Sequence, residues 1–157
     1  MKIPETFVAI DLETTGLEFE KDEIIEIALV RFVNGKPFES CDFLVKPSQT
    51  LRPFIEHLTG ITSEDLANAE DFPAIAEKVF SFIGDAPLVA HNAQFDFRFL
   101  KNAFARVGVP FDSHSVYDSL ALSRIAFQNV ANHKLETLLK HLKIERSVAH
   151  RALPDAE

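Results

Sequence analysis

The sequence predicts an α/β fold, a mixed five-stranded sheet with helices packed on it. Two observations carry this. Three apolar segments near the start follow one another across a glycine break and a hairpin signal. Further on, short apolar segments alternate with amphipathic ones.

The first strand is read at Phe7-Val8-Ala9-Ile10-Asp11-Leu12-Glu13, apolar with carboxylates at its end, and Thr14-Thr15-Gly16 breaks it. Ile24 to Val33 is apolar at odd and even positions alike, as in a strand covered on both faces. Asn34-Gly35 signals a two-residue hairpin, and Phe38 to Val45 returns as the third strand. After Lys46-Pro47 come loops and short helices, with a helix start at Ser63-Glu64-Asp65 and an amphipathic helix from Ala74 to Ile83 behind Pro73. Pro87 to Ala90 is a short buried strand. Asn92 is placed as the N-cap of a helix from Ala93 to Val107, which Gly108 and Pro110 end. Ser115-Val116-Tyr117 is the fifth strand, Asp118 caps a helix through Ala126, and Lys134 to Leu142 forms another.

A chain of 157 residues fits one domain with a sizeable core. No apolar run reaches the roughly 18 residues that cross a bilayer, and the first residues carry no export signal, so a cytoplasmic protein without a membrane partner is expected. The single cysteine, Cys41, excludes an internal disulfide and a cysteine metal site. A net charge of −8 excludes a protein that grips nucleic acid through a basic surface. It leaves open an enzyme that meets phosphate through bound cations.

Asp11 and Glu13, two apart on a strand, point to the same face and repel each other unless a cation or proton lies between them. Taken alone, the pair reads as solvated acids at a strand end. Its company changes that. Asp96 falls in the first turns of a helix after a buried strand, and Asp155 follows a proline near the start of a last helix. Four carboxylates form a hard-oxygen set suited to Mg²⁺ or Mn²⁺. Two such ions about 3.5–4 Å apart stabilise the attacking and leaving oxygens of a phosphoryl displacement. His150, five residues before Asp155, is read as a loop residue reaching over the site, able to take a proton at neutral pH.

Asp11-Leu12-Glu13-Thr14-Thr15-Gly16-Leu17, His91-Asn92-Ala93-Gln94-Phe95-Asp96 and His150-Arg151-Ala152-Leu153-Pro154-Asp155-Ala156 resemble the three motifs of the DEDDh exonuclease family. That family includes the proofreading subunit and domains of bacterial replicative DNA polymerases. Leu58-Thr59-Gly60-Ile61-Thr62 and Lys134-Leu135-Glu136-Thr137-Leu138 also match stretches between the motifs, so the resemblance covers nearly the whole chain. It implies an RNase H-like fold, two Mg²⁺ or Mn²⁺ ions, and 3′→5′ hydrolysis releasing nucleoside 5′-monophosphates. Residue by residue, it implies that Asp11, Glu13 and Asp155 hold the ion of the attacking water. Asp11 also holds the second ion, Asp96 supports it directly or through water, and His150 is the general base. Two departures stand out. Pro154 removes a backbone donor beside Asp155, and the chain stops at Glu157 where relatives continue the helix. Residues 1–157 are therefore expected to be a single exonuclease domain cut short in its C-terminal helix, with the end weakly held.

Thr14, Thr15, Gly16 and Leu17 are expected to receive the terminal sugar and its 3′-hydroxyl, with Asn92 a further substrate contact beyond its capping role. His91 is read either as a contact to the nucleotide or to Asp96, or as a structural support. His57, His114, His133 and His141 are read as surface or capping residues. Glu26, interrupting an apolar strand, is paired with Arg151, and Lys21-Asp22-Glu23 is taken as a solvated turn. Phe95 is expected to pack under the site. The leading function is a 3′→5′ exonuclease on single-stranded or frayed DNA 3′ ends in proofreading or repair, helped by a polymerase or other DNA-binding partner. The alternatives are an exoribonuclease or oligoribonuclease of the same chemistry, and a non-catalytic interaction module of a polymerase or helicase.

Overall fold

The computed structural model describes residues 4–144 and 151–156. Its strands are β1 (Thr6–Thr14), β2 (Ile24–Val33), β3 (Lys36–Leu44), β4 (Leu88–Ala90) and β5 (Val116–Asp118). They form one sheet in the order β3-β2-β1-β4-β5, with β1–β3 antiparallel and β4 and β5 added parallel to β1. The expected α/β, RNase H-like mixed sheet is what the chain forms.

Asn34 and Gly35 both have positive φ, 52° and 73°, the backbone that a tight twisted hairpin demands. β3 therefore starts at Lys36, earlier than the apolar pattern indicated, and its exposed edge blurs that pattern. β2 is covered on both faces, as read. Ile27 and Leu29 join Val8, Ile10 and Leu12 of β1 in the main core, beneath α3 (Phe72–Ile83) and α4 (Gln94–Arg106). Ala28 and Val30 face the other way with Ala9, under α7 (Ala152–Ala156).

The remaining helices are α1 (Pro53–Thr59), α2 (Ser63–Ala67), α5 (Ser119–Ala126) and α6 (Leu135–Leu142). α1 falls in the stretch of loops and short helices expected after Lys46-Pro47. It begins at a proline and ends at Gly60 with φ 72°, a left-handed stop. Asp118 caps α5 as expected, accepting from the Leu120 amide. Asn92 does not cap α4. Its φ is 70°, so it turns the chain instead, and Ala93 already has helical dihedrals ahead of Gln94. No helix among the described residues is long and apolar enough to cross a membrane.

Candidate active site

β1 delivers two carboxylates to one face by strand alternation. Ile10 and Leu12 point into the main core, while Asp11 and Glu13 point toward α7. Across the strand boundary Asp11 pairs with Ala28, whose small side chain leaves room, and Glu13 pairs with Glu26. α7 adds the third carboxylate. Ligand oxygens of Asp11, Glu13 and Asp155 lie within 4.8 Å of one another, although more than a hundred residues of chain separate the first two from the third.

Asp96 arrives by another route. β4 runs parallel to β1, so the start of α4 falls beside the carboxylate end of β1. Asp96 sits in the first turn of α4 at 4% exposure. It is close enough to Asp11 to raise its pKa, yet it is not one of the mutually close group of three.

Electrostatics mark the cluster as a site under repulsion. Burial, then the charges of Asp96, Glu13, Asp155 and Glu26, push the Asp11 carboxyl well above the ordinary range. Burial, with Glu26 and Asp155, lifts Glu13 to about 7, and Arg151 opposes this. Burial lifts Asp96 to about 8 against the pull of two backbone donors, its own amide and that of Leu12. Such carboxyls favour the neutral form until a cation compensates them. Hard, closely spaced oxygens that must be neutralised are the donor set for Mg²⁺ or Mn²⁺, and the residues fit such an ion.

The loop after β1 is only partly open to a ligand. Thr15 is tied into the scaffold of that loop. Thr15 is 1% exposed, its hydroxyl accepts from the Glu23 amide (2.9 Å) and Gln49 Nε2 (3.0 Å), and its carbonyl accepts from Arg52 Nη2 (2.5 Å). These contacts anchor the loop. Thr14 is also buried, its hydroxyl donating to the Gly16 carbonyl at 2.5 Å. A β-carbon on Gly16 would overlap the Asp22 carboxylate and the Arg52 guanidinium, so any larger residue there must displace those two side-chain ends. Leu17 alone projects outward, 83% exposed. It shares an open concavity of about 480 Å³ with Phe19, Asn92, Gln94, Phe95 and Arg98, so Leu17 and Asn92 are brought to one surface. Phe95 packs on Phe99, ring centroids 4.8 Å apart, and lines that concavity from beneath.

His91 is a structural support. One ring nitrogen bonds the Ser119 hydroxyl (3.0 Å) and the other the His133 carbonyl (2.9 Å), pinning α5 and the loop before α6. His150 lies outside the described residues. Arg151 does reach Glu26, as the apolar-strand anomaly indicated. The reading of Lys21-Asp22-Glu23 as a solvated turn holds for Lys21 but not for its neighbours. Asp22 accepts from the Glu18 amide and the Thr15 hydroxyl, and Glu23 accepts from Ser48 and Gln49. Arg52 and Gln49 were missed altogether. They lie 37 and 34 residues from Thr15, and no local pattern announces such a partnership.

Comparison with known proteins agrees with this geometry. The chain is 39% identical over 153 residues to the PolC-type DNA polymerase III of Bacillus cereus, covering 98% of this chain and 11% of that one. It is 39% identical over 154 residues to the 3′-5′ exonuclease DinG of Bacillus subtilis, covering 98% of this chain and 16% of the relative. The chain thus spans less than a fifth of the curated relatives it matches. Among solved structures, exonuclease I superposes with a TM-score of 0.87 at 25% identity, over 98% of this chain and 39% of that one. E. coli exonuclease I in complex with a dT13 oligonucleotide superposes at 0.85 and 24%, over the same shares, a likeness of fold. The family model described as Exonuclease matches residues 8–157, nearly the whole sequence. The chain belongs to this exonuclease family.

Proposed function

We propose that this chain is the catalytic domain of a DEDDh 3′→5′ exonuclease. It hydrolyses single-stranded or frayed DNA from the 3′ end, releases nucleoside 5′-monophosphates, and works in the cytoplasm in replication proofreading or repair. One observation carries the reading. Asp11, Glu13 and Asp155, from distant parts of the chain, converge within 4.8 Å with Asp96 beside them. The exonuclease family supplies the reaction class, and the similarity to PolC-type polymerases and DinG supplies the DNA setting.

In this reading Asp11, Glu13 and Asp155 hold one Mg²⁺ or Mn²⁺, and Asp11 with Asp96 holds a second. Bound there, the ions supply charge stabilisation to the attacking and leaving oxygens of the phosphodiester. The protein does the positioning. Leu17 and Asn92 face the terminal nucleotide across the concavity, while Thr14 and Gly16 shape the backbone that receives its sugar. His150 takes the proton from the attacking water, as an imidazole with an ordinary pKa near 6.5 can at neutral pH. With a net charge of −8 the domain holds DNA weakly alone, and a polymerase or other DNA-binding partner keeps it on its substrate.

The test is product analysis on matched DNA and RNA oligomers with Mg²⁺, with Mn²⁺ and with EDTA, for the parent chain and for Asp11→Asn. Mononucleotides released from DNA 3′ ends, faster from mismatched than from paired ends and absent with EDTA, are expected. Metal-independent release, or undiminished release by Asp11→Asn, refutes the reading. Release from RNA alone moves the substrate to the ribonucleotide class.

A further inference from the structure

We propose that Glu26 and Arg151 are positioning residues that seat α7 and so present the Asp155 carboxylate to Asp11 and Glu13. The inference rests on the metal-binding role proposed for those three. Glu26 is a carboxylate at 0% exposure in a strand of aliphatic residues. Burying such a group is unfavourable unless its lone pairs are used and its charge is matched. Both conditions are met from one short segment. Oε1 accepts from Arg151 Nε at 2.9 Å and Nη2 at 2.6 Å, and Oε2 accepts from the Ala152 amide at 2.8 Å.

The carboxylate thus holds the helix by a side chain and by the first backbone donor of α7 together. From there the link to Asp155 is a single turn. The Asp155 amide donates to the Arg151 carbonyl at 3.3 Å. The apolar anchorage of α7 is Ala152 and Ala156 packed on Ala9, Ala28 and Val30, with Leu153, Phe7 and Phe32 at the margin. Small residues let the helix approach the sheet closely, but apolar contact is non-directional and sets its rotation less sharply than hydrogen bonds do. The Glu26 contacts supply those bonds.

The pair also manages charge. Glu26 stands directly opposite Glu13 in the ladder, where like charges repel. The Arg151 guanidinium, forked onto Glu26 Oε1, matches the buried Glu26 charge within that ladder.

The experiment measures Mn²⁺ binding by calorimetry and by electron paramagnetic resonance at pH 8, with circular dichroism as the fold control. Variants are Glu26→Gln, Asp155→Asn, both together, and Arg151→Lys. Glu26→Gln keeps shape and loses the ionic pair, and should weaken Mn²⁺ binding about 10–100-fold, the usual effect of removing a partner that orients a metal ligand. In the Asp155→Asn background it should add less than about twofold, because residues acting through one another are not additive. Arg151→Lys keeps the charge without the two-nitrogen fork, so it should weaken binding measurably while folding normally. Parent-like affinity in either folded variant overturns the inference, as does an undiminished effect of Glu26→Gln without Asp155. A parent chain that binds no Mn²⁺ overturns the metal reading and the inference with it. A parent that binds, with variants that bind equally well, overturns the inference alone.

Discussion

Replacing Glu13 by glutamine should stabilise the metal-free protein while removing one ligand of the proposed metal site. The Glu13 carboxyl is lifted from 4.5 to about 7 by burial and by Glu26 and Asp155. Each pKa unit corresponds to about 1.36 kcal/mol, so ionising Glu13 in the fold costs about 3 kcal/mol more than in the unfolded chain. The sign follows from the direction. A carboxyl raised in the fold leaves stability intact below its unfolded pKa, and that stability is lost as pH climbs through about 7. Glutamine does not titrate and escapes the loss. In EDTA at pH 8, Glu13→Gln should therefore exceed the parent by about 3 kcal/mol, or roughly 6–12 °C in melting temperature for a domain of this size. At pH 4 the two should agree. Far-UV circular dichroism during urea titration is the assay, since the chain has no tryptophan. Saturating Mn²⁺ should then narrow the gap, because about 100-fold excess over Kd gives the parent about 2.7 kcal/mol that the variant cannot recover in full. An advantage equal at pH 4 and pH 8, or a variant less stable than the parent at pH 8, would refute the repulsion argument.

Gly16→Ala forces a β-carbon into Asp22 and Arg52, so it should cost about 1–3 kcal/mol and slow turnover by displacing Leu17; an unchanged melting temperature would show that the loop yields freely. His150→Ala should lower turnover about 10²–10⁴-fold while leaving Mn²⁺ binding near the parent value, and a surviving acidic limb in its pH–rate profile would assign the proton to another group. Binding of single-stranded DNA by the domain alone should be weak at physiological salt, given the net charge of −8, and processive digestion of long strands by it under those conditions would contradict the need for a partner.

The sequence made β1 to β3 legible because the hairpin at Asn34-Gly35 and the doubly apolar Ile24–Val33 each admit one structural reading. The acidic site was legible for a different reason. Asp11, Glu13, Asp96 and Asp155 sit beside strand ends and helix starts, which is where an α/β sheet collects its side chains. The misreadings share a cause. Asparagine is favoured both as an N-cap and in left-handed turns, so Asn92 satisfied either assignment; in the fold it takes the turn, its amide donating to Asp118 Oδ1 at 3.0 Å across 26 residues. A threonine hydroxyl near a catalytic loop serves substrate or scaffold equally well. Arg52, Gln49 and Glu23 made Thr15 a scaffold, and two of the three come from a distant segment.

The Asp11 cluster and the fold around it pull in opposite directions, and the placement of the compensating groups follows from that. Three carboxylates converge at the end of β1, a fourth is buried beside them, and each is raised or surrounded by its neighbours. The groups that hold them in place lie outside the cluster. The Leu12 amide and the first turn of α4 serve Asp96, where the helix dipole also favours a negative charge. Arg151, bonded to Glu26, opposes the rise at Glu13. None of these donors must leave when a divalent ion arrives between Asp11, Glu13 and Asp155. The scaffold can therefore keep the ligands close while the ion removes their repulsion, and metal binding should proceed with proton release and little rearrangement of β1 or β2.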